Sequence, residues 1–227
     1  MIFRRYDFSG IGFFAVVLGF VNALIAFGKY TYTSNPILYI CIYGLGAVVL
    51  FALFPGVFTE HLSSALGLVT LTVAVVVTVL LGRVYRLCVT PKNTRWYSTI
   101  PTPEIVQTSL TEVNVLVKVI EIVFQQLCAL LVLVGLFQIS SFSLSAIMIL
   151  FALVVMGVHL PSPKFFGWFY GGFFLVVATF IALGVPWLYV VLPYAFYIVT
   201  VIHIMTYWVL YTWVATPAFR YDKMSTL

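Results

Sequence analysis

The chain has 227 residues, of which 63% are hydrophobic and only 7% charged, with a formal net charge of +5. A water-soluble domain carries about 25% charged residues, so this composition excludes one. The eleven basic residues are scattered among loops and ends, with no basic helix face, which also excludes a nucleic-acid-binding surface.

The fold class expected is all-α: a polytopic transmembrane helical bundle with about seven spanning helices. A spanning helix needs roughly 20 mainly apolar residues. Seven such segments run over about 8–27, 36–54, 63–82, 107–137, 141–159, 165–184 and 187–215. The first follows a basic start, MIFRRYDF, but no small-x-small cleavage site comes after it, and Asn22 and Lys29 interrupt its end. It is therefore read as a retained transmembrane helix rather than a signal peptide.

The later breaks fall at Asn35-Pro36, Pro55-Gly56, the polar stretch 83–106, Gln138 to Ser141, Pro161-Ser162-Pro163 and Gly184-Val185-Pro186. His61, beside Glu60 in the second of these breaks, reads as a polar loop residue. The spacing of Gly167 and Gly171 suits close helix packing on the sixth segment. Pro193 is expected to kink the seventh. Cys41, Cys88 and Cys128 are odd in number and far apart, so free buried thiols are expected rather than a disulfide framework.

Residues 1–106 comprise N-terminal transmembrane helices and a basic cytoplasmic loop; residues 107–227 hold a polar-stripe helix and the remaining core, in the same membrane domain. With the N-terminus outside, Lys29, Arg83, Arg86, Lys92, Arg95, Lys164, Arg220 and Lys223 are cytoplasmic and only Arg4 and Arg5 are outside. The bias favours an N-out, C-in protein of the plasma membrane. Its surroundings are the lipid bilayer and no nucleic acid.

The fourth segment carries the main functional signal. Gln107, Thr111, Asn114, Lys118, Glu121 and Gln125 recur at alternating spacings of four and three, which places all six on one side of a helix. The other faces are apolar. Ionisable groups inside a membrane protein are costly, and they point to function. Two further groups lie in later spans: His159 at the end of the fifth, and His203, which shares a face with Thr200, Tyr207 and Tyr211 on the seventh. Glu121, His159 and His203 are the candidate catalytic residues; Lys118, Gln125, Asn114, Thr206 and Tyr207 are their polar support.

A carboxylate and two imidazoles suit a divalent metal, so Glu121, His159 and His203 are also a candidate metal set. Without a metal, the Glu can deprotonate water while a His donates to a developing oxyanion. Against both stands a simpler reading, in which Lys118 and Glu121 neutralise each other one turn apart and the amides join helices.

The order of these features resembles the CPBP family of intramembrane proteases, which includes the type II CAAX prenyl endopeptidases and the bacterial ABI proteins. The family's Glu-Glu-x-x-x-Arg motif is matched by Ile120-Glu121-Ile122-Val123-Phe124-Gln125, its Phe-x-x-x-His by Val155-Met156-Gly157-Val158-His159, and its His-x-x-x-Asn/Asp by His203-Ile204-Met205-Thr206-Tyr207. Residues 110–210 carry the likeness. Ile120, Gln125, Val155 and Tyr207 depart from the pattern, which suits a divergent or inactive member. The resemblance implies hydrolysis of a membrane or lipidated peptide, with Glu121 as the water-activating base, His159 its partner and His203 an oxyanion donor. Two other classes compete with it. One is a non-catalytic scaffold or subunit that binds a membrane-protein partner. The other is a proton-coupled transporter using Lys118 and Glu121 as a relay.

Overall fold

A computed structural model describes residues 35–88, 112–139, 142–160, 162–192 and 194–206. These residues are helical, with no strand among them. Helix α1 (Pro36–Leu53) opens with proline at its first position, where the missing N–H costs nothing. It stops at Phe54, which adopts φ −128° and ψ 48° because the residue before a proline is pushed out of the helical region.

Pro55 then starts a second, eight-residue helix, α2 (Pro55–Leu62). The sequence marks Pro55-Gly56 as a break, and it is one, but Pro55 is also the first residue of a new helix. His61 therefore lies in the last turn of α2 rather than in a loop. It is half-buried, with its ring edge-on to Tyr189 at 6.4 Å.

Helix α3 (Ala65–Cys88) turns away from α2 by 84°. Two contacts hold this corner. The Gly67 amide donates to Ser64 Oγ at 3.0 Å, capping the start of α3. The Tyr197 hydroxyl, from the other end of the chain, donates to the Leu62 carbonyl at 2.8 Å and satisfies the end of α2.

Helix α4 (Glu112–Ile139) is followed by α5 (Leu144–His159), whose start is capped by Ser143 Oγ accepting from the Ala146 amide at 3.3 Å. Helix α6 (Ser162–Val191) runs unbroken through Gly184-Val185-Pro186, where the sequence suggested a boundary. A proline forfeits one hydrogen bond, and within a bundle neighbouring helices tolerate that loss. The chain leaves helix only after Val191, so residues 187–191 of the expected seventh segment end α6; α7 (Ala195–Thr206) follows, and Pro193, the expected kink, lies outside the described residues.

Three of these helices are long and apolar enough to cross a membrane, or up to four if α2 and α3 count as one broken span. The count of about seven is not reached among the described residues. Helices α5 and α7 are apolar but shorter than a usual span, and the 8–27 segment lies outside the described residues.

Helix α4 is the centre. Of its apolar stretch 61% is buried inside the bundle, against 11% for α1 and 22% for α6. The main core gathers Leu127, Leu130, Leu133 and Val134 of α4 with Leu50 of α1 and Phe58 of α2, and it extends to Phe151, Tyr189 and Phe196 on the last three helices. The outer surfaces are apolar instead: Ile37, Leu45, Leu66, Val69 and Phe180 are all exposed. An apolar exterior on this scale matches lipid, not water. The hydroxyls of Thr70, Thr72, Thr78, Thr179 and Thr200 each donate to the carbonyl four residues earlier, which satisfies them without water. Cys41 and Cys128 are free thiols, with Cys41 exposed on α1 rather than buried.

Candidate functional site

The polar stripe lies on the most enclosed helix. Glu121 is 7% exposed, and both of its carboxylate oxygens accept hydrogen bonds from α4 itself. Lys118 Nζ donates to Oε2 at 2.9 Å, and Gln125 Nε2 donates to Oε1 at 2.8 Å. Spacings of three and four residues bring all three side chains to one side, as expected. Lys118 keeps a quarter of its side chain exposed and Gln125 lies at the surface, so the carboxylate is the inward end of the cluster.

Helix α7 docks against this part of α4. Ile204 packs on Val119 and Ile122, with Leu71, Val75 and Val79 of α3 around them. That contact places His203 beside α4, where Gln126 Nε2 lies 2.8 Å from its Nδ1. Ile204 directly follows His203 and Ile122 directly follows Glu121, so this packing brings the His203 turn of α7 and the Glu121 turn of α4 together. His159 stands at the end of α5, which packs on α4 through the shared core.

The hydrogen bonds of Glu121, His159 and His203 are separate. His159 Nδ1 is 2.9 Å from the Val155 carbonyl one turn back. A carbonyl only accepts, so Nδ1 carries the proton and a neutral His159 keeps its lone pair on Nε2. Among the described residues, no group of three or more His, Cys, Asp or Glu side chains could hold a metal ion. Glu121, His159 and His203 thus do not form a coordination shell.

Of the supporting residues, Thr206 is half-buried at the end of α7. Asn114 lies in α4, with its side chain outside the described set; Gln107, Thr111 and Tyr207 also lie outside it.

Two residues of the site were not anticipated. Gln126, 9% exposed, is one position off the stripe and points to α7 rather than along α4. An amide in an apolar run must find a partner when buried, and that was the available signal. Tyr39 of α1 is the other. It is buried and begins a row of rings through Tyr43 to Phe124 of α4, with centroid spacings of 6.1 and 5.6 Å.

Comparison of the chain with protein-family models, curated proteins and solved structures finds no match.

Proposed function

We propose that this is a multi-pass membrane hydrolase, of the kind its motifs resemble, that cleaves a peptide bond at the membrane with Glu121, His159 and His203. The observation carrying this reading is the packing of the His203 turn of α7 on the Glu121 turn of α4, the most buried spanning helix of an apolar bundle. Such an arrangement is expensive in lipid and serves little purpose in packing alone.

In this reading Glu121 takes a proton from water as the oxygen attacks the scissile carbonyl carbon. His159, with its lone pair on Nε2, shares that proton. The carbonyl oxygen gains the negative charge, and His203 donates a hydrogen bond to it. The intermediate then collapses: the C–N bond breaks, and the proton passes from Glu121 to the leaving amine. The site opens toward the cytoplasm in an N-out protein of the plasma membrane, and a membrane or lipidated peptide is the substrate class.

One observation favours a second reading, a non-catalytic scaffold. Both Glu121 oxygens are already engaged by Lys118 and Gln125, as a structural ion pair would have them.

The test is proteolysis of membrane-inserted and prenylated peptides by the full chain in nanodiscs. Glu121→Gln and His159→Ala are each expected to lower turnover by about 100-fold or more. Equal turnover in all three proteins would assign the activity elsewhere, and no turnover by the unmodified chain would favour the scaffold.

A further inference from the structure

We propose that Gln126 is a positioning residue that fixes His203 with its proton on Nε2. The inference rests on the reading of His203 as a hydrogen-bond donor, but its geometry stands apart from that reading. An amide nitrogen can only donate, so the 2.8 Å contact from Gln126 Nε2 makes His203 Nδ1 the acceptor. A neutral imidazole with a bare Nδ1 carries its hydrogen on Nε2. The bond joins helices whose partners lie 77 residues apart, and the packing of Ile204 on Val119 and Ile122 holds those helices together beside it.

The two imidazoles are thereby set in opposite tautomers. The Val155 carbonyl leaves His159 with a lone pair on Nε2, and Gln126 leaves His203 with an N–H there. One ring is prepared to accept a proton and the other to donate a hydrogen bond, which is the division of labour an acyl-transfer site needs.

The chain contains only three histidines, so nitrogen NMR of the full protein, labelled with ¹⁵N-histidine and held in nanodiscs, can resolve them all. A His203→Asn sample identifies the His203 signals. In the unmodified protein we expect His203 protonated on Nε2 and bare on Nδ1, with His159 reversed. Gln126→Glu, whose ionised carboxylate only accepts, should move the His203 proton to Nδ1. Gln126→Leu should leave a mixture of both forms. In both variants kcat on a membrane peptide should fall about 10-fold with KM little changed.

A His203 proton on Nδ1 in the unmodified protein would overturn the proposal without recourse to any variant. So would a His203 tautomer that neither substitution moves. If the tautomers behave as expected but the unmodified chain hydrolyses nothing, the positioning role stands and the hydrolytic reading fails.

Discussion

Replacing Lys118 by methionine tests whether the ion pair on α4 is a single neutral unit. Lys118 Nζ and Glu121 Oε2 are 2.9 Å apart, and the Glu121 side chain is 9% exposed. Removing one partner of a fully buried pair costs about 3–5 kcal/mol, because the other charge stays behind. Lys118 keeps a quarter of its side chain exposed and Gln125 still donates to Oε1, so the expected cost here is lower, about 2 kcal/mol. Glu121→Leu instead removes the carboxylate to which Lys118 donates and should also cost about 2 kcal/mol, whereas the double variant removes both members of the pair together and should cost only about 1 kcal/mol. The cycle then yields a coupling of about 3 kcal/mol. Unfolding in mixed micelles with increasing anionic detergent, followed by tryptophan fluorescence, supplies the four stabilities. Additive single effects, with coupling within about 0.5 kcal/mol of zero, would refute the reasoning and show that the two charges are solvated independently.

The other predictions concern packing and caps. On α1, a methyl group at Gly46 would stand 2.7 Å from Phe124 Cε2, while one at Gly44 meets nothing within 4 Å. Gly46→Ala should therefore cost about 1–3 kcal/mol by overpacking, and Gly44→Ala should be neutral or stabilising by up to about 1 kcal/mol. Equal effects at the two sites would contradict the α1–α4 packing. Tyr197→Phe leaves the Leu62 carbonyl without its hydroxyl donor and should cost about 1–2 kcal/mol; amide exchange should rise at the end of α2, and unchanged protection there would count against the contact. Ser143→Ala removes the α5 cap and should cost about 1 kcal/mol in the same unfolding measurement.

Much of the helical layout was legible from apolar runs and prolines, since lipid leaves a backbone few alternatives to helix. The boundaries of α1 and the length of α4 followed from composition. The errors came at proline, which the sequence presents identically in two different roles. Pro55 begins a helix whose first N–H would be unpaired in any case, whereas Pro186 sits inside one and is accommodated by its neighbours. The Lys118–Glu121–Gln125 cluster was legible because it depends only on helical spacing. The Gln126–His203 contact was not, because it depends on how α7 docks against α4, and no local rule encodes that. For the same reason, linking Tyr39 and Tyr43 of α1 to Phe124 required knowing that α1 packs on α4.

The corner between α2 and α3 carries a consequence for how the protein is made. Its stabilising hydroxyl arrives 135 residues after the carbonyl it serves. At about 5–20 residues per second, a ribosome needs roughly 7–27 s to deliver Tyr197 after Leu62 has been synthesised. Over that interval the early helices sit in the bilayer with an unfinished bend. The α2–α3 corner therefore lacks one of its two contacts until α7 is made, and truncation before α7 should leave it more open to quality-control proteases, a result that pulse-chase of nested truncations would reveal.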